Sequence, residues 1–210
     1  DFYGLDSLLY TANDGQLDSE PEITYINVEP INDAPILSGI EDQYINEDNN
    51  LTILIDAFDV DGDELSYQVN IDNSNIEVFI NLDSLHINPV PDYFGQGLID
   101  LIVFDTSQES DTINFLINVE PINDAPIVEP LDISTLEDTP IAIPFDGFDV
   151  DEDILTYSII APPSSGFVEG GIYYPDLDFY GLDSLLYTAN DGQLDSEPEI
   201  TYINVEPIND

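Results

Sequence analysis

Apolar residues in this chain come in short alternating runs, and turn residues separate the runs. The clearest is Thr112–Val119. Ile113, Phe115, Ile117 and Val119 share one parity while Asn114 and Asn118 take the other, the period of a strand with one buried face. Before it lie Leu51–Ile55, Leu65–Ile71, Ile76–Ile80, Leu85–Asn88 and Leu98–Phe104, parted by Asp61-Gly62, Pro91-Asp92 and Gly95-Gln96-Gly97. The plan then repeats with Ile141–Phe148, Leu155–Ile160, Phe167–Glu169, Ile172–Tyr174, Ser184–Ala189 and Ile200–Val205, with Asp191-Gly192 turning into the last strand. No stretch sustains a helical period with caps. About seven short strands in roughly 90 residues predict an all-β chain of seven-stranded antiparallel Ig-like sandwiches in tandem.

The repeat is also literal. Asp1–Asp33 returns without a change as Asp178–Asp210, and Val28–Ile36 returns as Val119–Ile127. The stretch Val-Glu-Pro-Ile-Asn-Asp-Ala-Pro-Ile closes one β-rich segment and opens the next. Its two prolines fix φ and remove donors, so no strand runs through it. The chain therefore reads as residues 1–33, the last two strands of a repeat (Ser7–Ala12 and Ile23–Val28), then full repeats at 34–124 and 125–210. The identity of the first and last thirds points to a super-repeat of two domains, and the chain reads as a section of a longer array. An isolated hairpin is marginal in water, so 1–33 is expected to need strands from elsewhere, by continuation of the array rather than by donor-strand exchange.

Charge changes the picture. The chain has no Lys or Arg, 46 acidic residues and a formal net charge of −46. No salt bridge to a basic side chain can form within it. Two carboxylates about 5 Å apart repel by roughly 3 kcal/mol at an effective dielectric of about 20, so clustered acids need cations from solution. Nucleic acid and anionic membrane surfaces are poor partners, because both demand positive charge, and neither nucleic-acid binding nor membrane insertion is expected. The 42% apolar content and the many aromatic residues argue against a disordered acidic tail. There is no Cys, hence no disulfide and no thiol chemistry, and without Lys there is no Lys–Asn isopeptide bond. No apolar run approaches the ~18 residues of a membrane span.

The acids are clustered. Aligning the repeats on their joints matches Glu47-Asp48 with Glu137-Asp138, Asp59-Val60-Asp61 with Asp149-Val150-Asp151, Asp92 with Asp178, and Asp105 with Asp191. All fall at strand ends or loops. An Asp-x-Asp in extended chain puts both carboxylates on one face. Hard divalent cations take many oxygens, and Ca²⁺ takes six to eight. Asp63, Asp146 and Asp153 read instead as solvated turn residues. Asp59–Asp63 is not an EF-hand loop: its Gly is misplaced, Glu152 replaces that Gly in the second repeat, and no Glu stands at the twelfth position.

With its Asn-Asp-Ala-Pro joints, early Glu-Asp, Phe58–Tyr67 reading FDVDGDELSY and Tyr187–Gly192 reading YTANDG, the chain resembles bacterial cadherin-like tandem repeats of secreted adhesins and surface fibres. The resemblance implies Ca²⁺ at each junction. It assigns Asp1, Asn32, Asp33, Asp59, Asp61 and Asp105 to the first junction. It assigns Glu47, Asp92, Asn123, Asp124, Asp149, Asp151 and Asp191 to the second, and Glu137, Asp178, Asn209 and Asp210 to the third. The joint lacks the longer Asp-x-Asn-Asp-Asn form of animal cadherins, and Pro91–Gly95 lacks a second acid, so one or two ions per junction are expected.

Other features weigh less. His86 is the only His, has no His counterpart in the second repeat and reads as a plain strand residue. Asn50-Leu51-Thr52 is a glycosylation sequon of the kind that also arises by chance. No nucleophile–His pair, phosphate loop or zinc set is present. The leading expectation is an extracellular, calcium-rigidified array acting as a filament or stalk, partnered by neighbouring repeats of its own kind, possibly end to end. The alternative is a carbohydrate- or surface-binding module with a glycan as partner. An enzyme is not expected, because a glycosidase needs a cleft that small repeats seldom build.

Overall fold

The computed structural model describes residues 2–209, and among them there is no helix. The chain divides into two compact units, Asp1–Pro121 and Ile122–Asp210. The first unit opens with a hairpin of β1 (Gly4–Tyr10) and β2 (Glu22–Val28), paired antiparallel from Gly4↔Val28 to Tyr10↔Glu22. A sandwich follows, built from β3 (Ile36–Leu37), β4 (Gln43–Asn46), β5 (Leu51–Leu54), β6 (Ala57–Phe58), β7 (Ser66–Ile71), β8 (Ile76–Asn81), β9 (Ser84–Pro89), β10 (Gly95–Phe104) and β11 (Ser110–Glu120). One sheet runs β4-β11-β10-β7 and the other β5-β9-β8, while β3 pairs with β6. Counting β3/β4 and β5/β6 as two broken strands gives the seven that the pattern predicts. Leu85, Ile87, Ile99, Leu101, Val103 and Ile117 fill the space between the sheets.

The second unit repeats the plan. Its strands are β12 (Ile127–Val128), β13 (Leu131–Leu136), β14 (Ile141–Ala142), β15 (Gly147–Phe148), β16 (Thr156–Ala161), β17 (Gly166–Glu169), β18 (Ile172–Pro175), β19 (Gly181–Asn190) and β20 (Glu199–Glu206). The sheets are β13-β20-β19-β16 and β14-β18-β17, with β12 on β15. Its core centres on Tyr173, Leu185, Tyr187, Ala189 and Ile203, and the Tyr187 hydroxyl donates to the Glu129 carbonyl at 2.6 Å.

Two details depart from the strand pattern. The run Ile141–Phe148 is not one strand. Pro144 cannot donate to a ladder, and the chain breaks there, with the Phe145 N–H turning to the Ile143 carbonyl at 2.9 Å. Its halves, β14 and β15, join different sheets. The opening strand of each repeat also lies parallel, not antiparallel, to the last one, β4 on β11 and β13 on β20. Only hairpin neighbours must be antiparallel. A strand that starts the repeat and meets its end from the far edge is free of that constraint.

These ladders set out the ends of each sandwich. In the first unit β10 begins just after Asp92 and ends just before Asp105, and β6 ends just before Asp59. The recurring acids thus stand at the two ends, off the strand faces.

Candidate metal centre

At one end of the first sandwich the joint residues Asn32 and Asp33 lie across two acidic turns. The Asn32 side-chain amide donates to Asp105 Oδ2 at 2.7 Å, and the Ser107 hydroxyl donates to the Asn32 Oδ1 at 3.0 Å. The Asp33 N–H donates to Asp61 Oδ2 at 2.8 Å. Asp59 Oδ1 accepts the N–H groups of Asp61 (2.8 Å) and Asp63 (3.3 Å), an Asx turn that folds the Asp-x-Asp segment around its own first carboxylate. Asp105, only 2% exposed, also accepts the Glu109 N–H at 2.8 Å. The Asn32 amide, helped by backbone N–H groups, holds the Asp105 carboxyl below the usual carboxylate range against the opposing effect of burial.

The second unit builds the same arrangement independently. The Asn123 amide donates to Asp191 Oδ2 (2.8 Å), the Asp124 N–H to Asp151 Oδ2 (2.8 Å), and the N–H groups of Asp151 and Asp153 to Asp149 Oδ1 (3.0 and 3.3 Å). Gln193 Nε2 donates to Asn123 Oδ1 at 2.5 Å, standing where Ser107 stands in the first unit. The Leu194 N–H and the Asn123 amide hold the Asp191 carboxyl below its ordinary range.

Asp59 Oδ2 and Asp149 Oδ2 are buried and accept no hydrogen bond, and the Asp149 side chain as a whole is 6% exposed. A buried carboxylate oxygen without a partner is costly, and this chain has no Lys or Arg to offer one. A hard cation ligated by these oxygens would remove both the desolvation penalty and the repulsion, so the donor set fits an all-oxygen divalent ion.

At the other end of each sandwich the early Glu is buried, Glu47 at 2% and Glu137 at 5% exposure. Their N–H groups donate to the Glu120 and Glu206 carbonyls at 2.9 and 2.8 Å. In the second unit the Ile208 N–H donates to Glu137 Oε1. Asp48 and Asp138 sit in left-handed backbone (φ 61° and 56°) and accept the N–H groups of Asp92 and Asp178, themselves left-handed (φ 57° in both), at 3.1 Å. Asp tolerates that region better than bulkier residues do.

The structure therefore brings Asn32, Asp33, Asp59, Asp61 and Asp105 together in one unit and Asn123, Asp124, Asp149, Asp151 and Asp191 in the other. Glu47 and Asp92 stand at the opposite end of the first sandwich from its set, and Glu137 and Asp178 at the opposite end of the second. Asn209 falls in the third joint, and Asp1 and Asp210 lie outside the described residues. Sequence reasoning passed over Asp48 and Asp138, although their recurrence beside Glu47 and Glu137 was visible. Asp63, read as a turn residue, accepts the exposed Thr106 hydroxyl at 3.0 Å through Oδ2.

A family model described as a bacterial Ig domain matches residues 32–118 and again 123–203. The chain belongs to the bacterial Ig domain family. The two matches begin at Asn32 and Asn123, the first residues of the Asn-Asp pairs. No curated protein matches the chain. Among solved structures, these bacterial Ig domains are similar in fold to the human desmocollin-1 ectodomain (12% identity, 99% of this chain and 48% of that one, TM-score 0.52). They are similar also to protocadherin gamma B2 extracellular cadherin domains 1–5 (16% identity, 99% and 47%, TM-score 0.51). An endo-fucoidan hydrolase of glycoside hydrolase family 107 is similar at 14% identity over 99% of this chain and 35% of that one, with a TM-score of 0.37. The chain spans between a third and a half of the length of these structures. No helix among the described residues is long and apolar enough to cross a membrane.

Proposed function

We propose that the two bacterial Ig domains are spacers of an extracellular adhesin stalk or surface fibre, stiffened by calcium bound at the Asn-Asp end of each sandwich. The observation that carries this reading is the buried, donorless carboxylate oxygen, Asp59 Oδ2 in one repeat and Asp149 Oδ2 in the next, within a chain that has no cationic side chain. Asp33, Asp59, Asp61 and Asp105 would hold the ion in the first repeat, and Asp124, Asp149, Asp151 and Asp191 in the second. Bound calcium supplies the positive charge that these sets lack. Asn32 and Asn123 orient the late Asp, and the Asx turns aim the Asp-x-Asp carboxylates.

The role is structural, and the partners are neighbouring repeats of the same protein. Repeated head-to-tail domains with a fixed angle at each joint make a straight or helical fibre. A surface without Lys or Arg is anionic, soluble and free of sites for trypsin-like proteases. Small-angle scattering in millimolar calcium and in chelator tests the stiffening. The expected result is a longer maximum dimension and lower flexibility with calcium. Identical curves in both conditions would overturn the stalk mechanism.

A further inference from the structure

The two repeats differ at their short ladders. In each, a two-residue ladder sets an exposed Ile beside an exposed Phe: Ile36 and Phe58 on β3 and β6, Ile127 and Phe148 on β12 and β15. In the second repeat this pair belongs to a groove of about 350 Å³, lined by Ile127, Glu129, Leu131, Asp146, Gly147 and Phe148. Ile127 and Phe148 are 59% and 63% exposed, so the apolar part of the groove faces water. Glu129 and Asp146 are exposed as well and add two carboxylates to it. The buried Tyr187 hydroxyl holds the Glu129 carbonyl at 2.6 Å, which fixes the backbone of one wall. The matching positions of the first repeat do not supply this combination. Ser38 follows Leu37 as Glu129 follows Val128, and Asp56 precedes Ala57 as Asp146 precedes Gly147. Ser38 Oγ donates to Asp56 Oδ2 at 2.7 Å, so the one carboxylate there is already engaged across the ladder. Leu101 takes the ladder position of Tyr187 and has no hydroxyl to hold the backbone.

We infer that this groove docks a basic segment of a partner protein, a Lys or Arg lying next to an apolar residue. The aliphatic stem of such a side chain packs along Ile127, Leu131 and Phe148, and its cationic head meets Glu129 and Asp146. Charge complementarity selects the occupant. This chain has no Lys or Arg, so a second copy cannot supply that head. A neutral peptide would bring no counter-charge to the two carboxylates. The field of the whole anionic surface draws cationic partners without choosing a place, and the groove supplies the place. Exposed ion pairs give little binding energy singly, so apolar contact supplies most of the affinity and the carboxylates supply the selectivity. No groove residue belongs to the metal sets, so the inference stands apart from calcium binding.

The test titrates the full chain with the peptide acetyl-Leu-Lys-Leu-amide and follows backbone amides by NMR, at about 0.15 M salt, where long-range attraction is screened. The control peptide carries norleucine in place of Lys. Saturable shift changes are expected at Ile127, Gly147 and Phe148 with the Lys peptide, with little change from the norleucine peptide. Ile36, Ala57 and Phe58, the same ladder in the first repeat, are expected to stay still and serve as the internal control. Glu129→Ser installs the first repeat's residue at an exposed position and is expected to weaken binding about three- to fivefold, the scale of one exposed ion pair. Unmoved amides in β19 and β20 check that this variant keeps its fold. Equal responses to the two peptides would make the groove an apolar site without charge selection. Equal responses of the two repeats would make the binding a general effect of the surface charge. Either result overturns the inference, as does a Glu129→Ser chain that binds like the parent, or no saturable response in the parent.

Discussion

Asp183 shows how one residue can separate two otherwise parallel repeats. It is 5% exposed in β19 and accepts the N–H groups of Ser164 and Ser165 at 2.9 Å and of Ser184 at 2.8 Å, with the Tyr173 hydroxyl at 2.9 Å. Burial pushes its carboxyl up, but the hydrogen bonds outweigh burial and hold it below the usual range; burial, and then the same carboxylate, push the Tyr173 hydroxyl up. The first repeat has Gly97 at the matching place in its ladder, where a Cβ would come within 2.8 Å of Ile71. A depressed carboxyl pKa adds stability that is present above the unfolded value, near 3.9, and fades as pH falls through the lower folded value. Asp183→Asn is therefore expected to cost about 2 kcal/mol at neutral pH, the scale of hydrogen bonds to a charged group. Thermal melts from about pH 7 down to about pH 2 should show the difference constant above about pH 5 and shrinking below about pH 4. A gap independent of pH would mean that Asp183 acts by packing rather than charge.

At the scale of elements, one sequence appears in two settings. Residues 4–28 and 181–205 are identical and adopt the same register, Gly4↔Val28 matching Gly181↔Val205 and Tyr10↔Glu22 matching Tyr187↔Glu199. The hairpin register is thus the same in both settings. Burial is another matter: Leu8 is 56% exposed and Leu185 2%, Tyr10 51% and Tyr187 0%. Leu185→Asp is expected to cost more than about 4 kcal/mol and to unfold the second repeat, because it buries an unpaired charge. Leu8→Asp, the same change in the same sequence, is expected to shift stability by no more than about 0.5 kcal/mol. Calorimetric melting of the two variants checks this, and equal losses would mean that the first hairpin is covered as the second is.

The same scale shows what could be read from the chain. Long alternating strands such as β11 and β20 were legible, since period 2 and flanking turns report directly on a half-buried ladder. The two-residue strands β3, β6 and β12 were not, because nothing periodic fits in two residues. The parallel edge strands β4 and β13 escaped for a different reason: their pairing is set by the closure of the sandwich, which no local pattern encodes. The candidate site was legible as a set of recurring acids. Its hydrogen-bond wiring was not, since Ser107 and Gln193 do the same work with different residues.

For the whole molecule the governing quantity is charge. A net −46 with no Lys or Arg, and with acids that recur at the ends of the sandwiches, makes cation binding the natural way to stabilise those ends. Extracellular modules bind Ca²⁺ at about 10⁻⁴ to 10⁻³ M. At free calcium about a hundredfold above Kd, each site adds roughly 2.7 kcal/mol, a large share of the roughly 5–10 kcal/mol of a small domain. Isothermal calorimetric titration of calcium tests the claim most directly, comparing the parent chain with Asp149→Asn. That substitution keeps the Oδ1 acceptor of the Asx turn and removes the charge on the buried, donorless oxygen. The account expects saturable binding in the parent, loss of the second repeat's contribution in Asp149→Asn, and loss of the remainder when Asp59→Asn is added. No saturable binding up to about 10 mM calcium, or a titration unchanged by both substitutions, would contradict it.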